Sequence, residues 1–159
     1  MVFMIRYFLS TLFFIVFFSC SQNFNEKMVS QIVRDADWTK IQTFTVSLEE
    51  YKFVPDKMNF KTGIPYKLVL KNNGKEKHYY TAPDFFKSIA LRKVQTNDGE
   101  VKANYLTAIE VYPGKEMEIY FVPLKAGNFE LICTIEGHSE KGMVGKIIVE
   151  NTSLKIRRY

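Results

Sequence analysis

Cysteine and histidine are scarce in this sequence, with two of each among 159 residues. Two cysteines allow at most one bridge, which excludes a disulfide-built scaffold. Five prolines and eight glycines are too few for a collagen or low-complexity chain, and no sustained heptad pattern supports a coiled coil. Long helical patterns between extended stretches are also missing, which argues against a parallel α/β fold. Basic residues outnumber acidic ones by 22 to 17, a net charge of +5. That excess is spread thinly, without the dense stripe that nucleic-acid binding needs. What the chain has in quantity is aromatic side chains: 14 Phe, 9 Tyr and one Trp, which favour a β-rich core. Its length suits one domain with appendages.

The first 18 residues are nearly all apolar, broken only by Arg6, Tyr7, Ser10 and Thr11. A charged start, a short apolar block and a small residue before a cut predict an export signal over residues 1–19. The ending Phe17-Phe18-Ser19-Cys20 resembles a bacterial lipoprotein signal, in which Cys20 becomes the lipidated first residue. Phe17 stands where such signals prefer Leu, so an ordinary export signal or an N-terminal membrane anchor is the alternative. Ser21, unlike Asp, points to the outer rather than the inner membrane. Cleavage before Cys20 removes one Arg and leaves a charge of +4. A lipidated Cys20 leaves Cys133 without a disulfide partner, and a lone thiol in an oxidising compartment is open to oxidation. Metal ligation would explain its presence.

Residues 20–41 read as a tether with a short helix, because Phe24, Met28, Ile32 and Val33 recur at helical spacing. From residue 42 the period becomes alternating. Phe44, Val46 and Leu48 interleave with Thr43, Thr45 and Ser47, the mark of a half-buried strand. Further strands are predicted at Met58–Lys61, Tyr66–Asn72, His78–Ala82, Leu106–Val111, Met117–Val122, Asn128–Cys133 and Val144–Glu150. Turn chemistry separates them, as at Asn72-Asn73-Gly74 and Pro113-Gly114. The fold class is therefore all-β, an antiparallel sandwich or barrel, with the domain over residues 42–151. Residues 84–105 read as an insertion containing a helical turn and a hairpin around Asn97-Asp98-Gly99, and residues 152–159 as a basic tail.

The two histidines are His78 and His138, and Cys133, His138 and Met143 follow one another at intervals of five. Singly, each has a bland explanation: a buried thiol, a hydrogen-bonded imidazole, a core Met. Jointly they form a set. Phe129, Leu131 and Cys133 share strand parity, so the sulfur points toward the core. The following loop turns at Gly137 and returns at Gly142, bringing His138 and Met143 to the same end of the domain. One thiolate, two imidazoles and a thioether are the donors of a blue-copper electron-transfer centre. Zinc competes, but its structural sites add further Cys or His rather than Met.

The wider pattern resembles a cupredoxin of the plastocyanin/azurin class, over about Thr43 to Glu150. It includes Tyr51-Lys52-Phe53-Val54-Pro55, Leu68-Val69-Leu70-Lys71-Asn72-Asn73, Val111-Tyr112-Pro113-Gly114 and Phe121-Val122-Pro123. Ala126-Gly127-Asn128-Phe129 and Gly142-Met143-Val144-Gly145 complete it around the two sulfur residues. The resemblance implies a Greek-key β-sandwich with one copper per chain. His78, Cys133 and His138 would be its trigonal ligands and Met143 the axial one. It also implies electron passage through an exposed edge of His138 ringed by apolar surface. One departure stands out: Tyr79 follows the first histidine where many cupredoxins carry Asn, which leaves the hydrogen bonding of the sulfur open.

These readings make the chain an exported one-electron carrier rather than an enzyme, periplasmic and anchored by its N-terminal lipid. Its charge suits an acidic, membrane-associated redox partner. Copper delivery or buffering is the second reading. It is opposed by the few scattered Met of the mature chain: Met28, Met58, Met117 and Met143. A Cys133–His138 hydrolase is the third, with no oxyanion motif to support it.

Overall fold

The computed structural model describes residues 26–152. The export signal expected over residues 1–19, the expected lipid site Cys20 and the tail after residue 152 lie outside the described residues. Among the described residues, no helix is long and apolar enough to cross a membrane.

Helix α1 (Glu26–Asp35) is amphipathic but buries no residue completely; it rests against one sheet of the domain. Just after it, the Trp38 indole N–H donates to the Val33 carbonyl at 2.8 Å, and the Arg92 guanidinium lies 4.4 Å above the Trp38 ring. The helix is thereby fastened to the sandwich at its C-terminal end.

Among the described residues, eleven strands then form two facing sheets. They are β1 (Gln42–Glu49), β2 (Lys52–Val54), β3 (Lys57–Lys61), β4 (Tyr66–Asn72), β5 (His78–Thr81) and β6 (Ile89–Thr96). The remainder are β7 (Gly99–Val101), β8 (Ala108–Val111), β9 (Glu116–Pro123), β10 (Gly127–Ile132) and β11 (Val144–Glu150), and one short helix, α2 (Pro83–Phe86), follows β5. The first sheet has the order β2-β1-β4-β9-β6-β7, the second β3-β11-β10-β5-β8. Most pairs are antiparallel, but β1 lies parallel to β4 and β3 parallel to β11, so both sheets are mixed. Alternation places Val46, Leu48, Leu68, Leu70, Ile119, Phe121, Leu131, Ile147 and Val149 inward, where they fill the space between the sheets.

The aromatic part of the core gathers at one end. Phe60 packs against Tyr66 at 4.8 Å and Phe121 at 5.4 Å between ring centroids, mostly edge to face. Tyr66 and Asn72 are the two ends of β4, about 20 Å apart at a strand's rise. The pole beyond Asn72, where β5, β10 and β11 converge, is left for polar chemistry.

Residues 84–105, read from sequence as an insertion, are built into the sandwich instead. Phe85 and Phe86 of α2 are core residues, and β6 runs beside β9 inside the first sheet. The period is hard to read there because a bulge between Leu91 and Lys93 interrupts the pairing. The bulged Arg92 stacks on Trp38, and Lys93 pairs with Glu100 at 2.8 Å, so two central charges are accommodated outside the core. Strand β7 pairs with β6 and forms the edge of that sheet.

Candidate metal centre

The donors come from three strand ends and one connecting loop at the same pole. His78 opens β5 opposite Val111 of β8, and Cys133 directly follows β10. Met143 directly precedes β11, and His138 lies in the loop between. That loop is a chain of tight turns. The His138 N–H donates to the Ile135 carbonyl at 3.0 Å, and the Met143 N–H to the His138 carbonyl at 2.9 Å. Across its neck the Cys133 N–H donates to the Met143 carbonyl at 3.0 Å. Gly137 and Gly142 have φ of +77° and +107°, a backbone region that side-chain-bearing residues rarely enter. Glycine therefore permits both bends that fold His138 back over Cys133.

One ligand atom each from His78, Cys133 and His138 lie within 4.8 Å of one another. The Cys133 sulfur is 3.5 Å from His138 Nδ1, and the imidazole centroids are 5.2 Å apart. His78, Cys133 and Met143 are wholly buried. Both ring nitrogens of His78 are buried without a hydrogen-bond partner among the described residues. Buried polar atoms are rarely left so, and a nitrogen facing a thiol and a second imidazole is accounted for by a metal ion. Burial, with the nearby His138 adding to it, holds the His78 imidazole below the usual histidine range, which keeps it neutral and able to ligate.

The Tyr79 departure resolves in the backbone. The Tyr79 N–H donates to the Cys133 sulfur at 3.4 Å, a bond that does not depend on the side chain. The Tyr79 phenol turns to Glu110 instead. The strands of the two ligands are tied by a hydroxyl pair, Thr81 Oγ1 to Thr134 Oγ1 at 3.1 Å.

His138 differs from its expected setting. Only 4% of it is exposed, because two neighbours cover the edge that the resemblance left open. The Tyr51 ring meets it edge-on at 5.0 Å, and Glu76 Oε2 lies 3.1 Å from its Nε2. Tyr51 has φ of +60° and carries the Lys141 ammonium 4.2 Å from its ring centroid. The surround is thus aromatic and charged rather than an apolar ring.

A profile of the cupredoxin-like domain family matches residues 9–149. The chain belongs to the cupredoxin-like family. Among curated proteins, it is 29% identical over 104 residues to the copper-resistant cuproprotein CopI of Rubrivivax gelatinosus. That match covers 65% of this chain and 63% of CopI, so the likeness spans under two thirds of the relative. Among solved structures, the reduced auracyanin of Roseiflexus castenholzii superposes at a TM-score of 0.50 with 18% identity. It covers 68% of this chain and 96% of the auracyanin. A multicopper oxidase from Pediococcus acidilactici superposes at 0.58 with 15% identity, over 78% of this chain and 29% of the oxidase. Both show the shared sandwich. The cupredoxin fold and a buried Cys, two His and Met at one pole suit a single copper ion.

The sequence reading did not find Tyr51, Glu50, Asn72 and Glu76 as parts of this centre. Asn72 registers in the sequence as a strand end and a turn residue, and nothing in the sequence singles out Glu76.

Proposed function

We propose that this cupredoxin carries single electrons, with His78, Cys133 and His138 holding one copper ion and Met143 as the weaker fourth donor. The convergence of Cys133 Sγ, His138 Nδ1 and a partnerless buried His78 nitrogen carries this reading. Copper in such a set supplies a one-electron couple between Cu(II) and Cu(I), since soft sulfur suits the reduced ion and imidazole both. The protein's part is to keep the donors still. Cys133 and Met143 are clamped to each other through the backbone, and the Tyr79 N–H orients the sulfur. Burial excludes water from His78, Cys133 and Met143, so little need rearrange on a change of charge. The same burial closes Cys133 to a substrate, which counts against a Cys133–His138 hydrolase.

Electrons would leave by the His138 edge, under Tyr51 and Glu76. The sequence of residues 1–20 supports export to the periplasm and anchoring at a membrane, the outer one by Ser21, through lipidated Cys20. The net positive charge supports an acidic redox protein as partner. Copper buffering or delivery is the second reading, favoured by the likeness to a protein named for copper resistance.

The test is the visible spectrum of the copper-loaded, oxidised chain. An intense thiolate-to-copper band, lost on ascorbate addition and in Cys133→Ala, together with slow copper loss to a chelator, is the expected result. A colourless protein holding only zinc overturns the reading. Rapid copper exchange without reversible reduction selects delivery instead.

A further inference from the structure

Two carboxylates flank the outer side of the imidazole pair. Glu76 Oε2 is 3.1 Å from His138 Nε2, and Glu50 Oε1 is 3.9 Å from His78 Nε2. Of the two, only Glu76 is within hydrogen-bonding distance. With His138 Nδ1 serving as the metal donor beside the Cys133 sulfur, the ring proton sits on Nε2, where the Glu76 carboxylate accepts it.

The turn that presents Glu76 is held at both ends of its peptide unit. Glu50 Oε1 accepts the Glu76 N–H at 3.0 Å and also the Lys75 N–H. Buried Asn72 donates through Nδ2 to the Glu76 carbonyl at 2.7 Å. A Cβ on Gly74 would lie 2.6 Å from Glu50 Oε1 and would push this carboxylate aside. The backbone of Glu76 is therefore fixed independently of its side chain, which is half-exposed yet directed at the one edge of His138 left uncovered by Tyr51.

We propose that Glu76 is a positioning residue of the centre. Its carboxylate takes the Nε2–H of His138, fixes the ring, strengthens Nδ1 as a donor and favours Cu(II) over Cu(I). The inference rests on the proposed copper-carrier reading. Partners of this kind act on ligands from outside the bonding shell, and removing one typically costs about 10–100-fold in metal affinity or activity.

The test uses the full chain loaded with copper, as wild type, Glu76→Gln, Glu76→Ala and Glu140→Gln. Glu76→Gln retains an acceptor oxygen but not the charge, and none of the substitutions removes a backbone contact of the turn. Two quantities are read: the reduction potential by spectroelectrochemistry, and solvent exchange of the His138 Nε2–H by NMR of the reduced, diamagnetic form. Both Glu76 variants should shift the Cu(II)/Cu(I) balance about tenfold toward Cu(I), a rise of about 59 mV for one electron. Exchange should quicken about tenfold in Glu76→Ala and much less in Glu76→Gln. Glu140→Gln removes a charge from the same loop without touching His138, and should move neither quantity. A wild-type chain with no thiolate band overturns the copper reading and this inference together. A normal band with unmoved potentials in both Glu76 variants overturns this inference alone, as does an equal shift in Glu140→Gln.

Discussion

Asn72→Ala is the substitution that most directly tests how this fold holds its site. The residue is 1% exposed and ends β4 where the strand turns toward the metal pole. Its Nδ2 donates to the Val111 carbonyl at 2.8 Å and the Glu76 carbonyl at 2.7 Å, while its Oδ1 accepts the Gly74 N–H at 2.9 Å. The Val111 bond is buried and the other two are partly so. The Val111 carbonyl keeps its place opposite His78 in the β5–β8 ladder, so the loss is that of three hydrogen bonds, each contributing about 0.5–1.5 kcal/mol. Alanine should therefore destabilise the metal-free protein by roughly 1.5–4.5 kcal/mol, a large share of the 5–15 kcal/mol typical of a domain. Asn72→Asp should be worse than alanine at neutral pH, since it sets a charged acceptor against two carbonyl oxygens. Urea unfolding of the metal-free chain, followed by Trp38 and tyrosine fluorescence, reads both values if the denaturant slope is unchanged. A loss below about 0.5 kcal/mol in Asn72→Ala, within the range of ordinary surface changes, refutes the reasoning. So would an aspartate variant as stable as wild type.

Three further outcomes are expected. Gly145→Ala builds a Cβ 2.6 Å from the Asp56 carbonyl oxygen and 3.1 Å from Leu131 Cδ2; backbone cannot swing aside, so urea unfolding should show a loss of about 1–3 kcal/mol. Met143→Leu conserves volume in a fully buried place and should cost the metal-free protein under about 1.5 kcal/mol, yet move the band or the potential of the copper-loaded form, because a thioether donor is lost; an unchanged spectrum and potential would remove Met143 from the donor set. The Tyr120 phenol is pushed up to about 12, first by burial and then by its 2.6 Å hydrogen bond to Glu118. The unfolded chain ionises this group near the ordinary tyrosine value of about 10, so stability conferred by the protonated phenol is present below that pH and declines as pH rises toward 12; Tyr120→Phe should flatten the alkaline limb of a stability–pH curve.

Much of the sandwich was legible because its strands obey a period of two and end at turn residues. Tyr66–Asn72 and Val144–Glu150 are read with their observed bounds, the first closed by Asn73-Gly74 and the second opened after Gly142-Met143. Strand β2 escaped notice because three residues are too short to show a period. The hairpin around Asn97-Asp98-Gly99 is present as β6 and β7, but β6 also belongs to the sandwich, which is hidden in the sequence because Arg92 and Lys93 sit at a bulge, where alternation fails and long basic side chains reach Trp38 and Glu100. The parallel pairing of β1 with β4 leaves no mark in the sequence, because alternation reports which side chains are buried and not which strand lies alongside.

The centre divides along a similar line. Cys133, His138 and Met143 are readable because one hairpin brings them together, so their spacing in the chain is nearly their spacing in the fold. His78 is readable because the chain has only one other histidine. The sequence made Tyr79 look like a defect, but the hydrogen bond to sulfur comes from a peptide N–H, which every residue except proline can supply. Side-chain identity therefore overstated that departure. It understated Glu76, whose carboxylate meets an imidazole 62 positions away only because Glu50 and Asn72 hold the intervening turn. Donors to a metal can be inferred from which residue types recur, since their chemistry is restrictive. The groups that orient those donors need only a hydrogen-bonding atom in the right place, and a fold can supply it from a backbone or from almost any polar side chain.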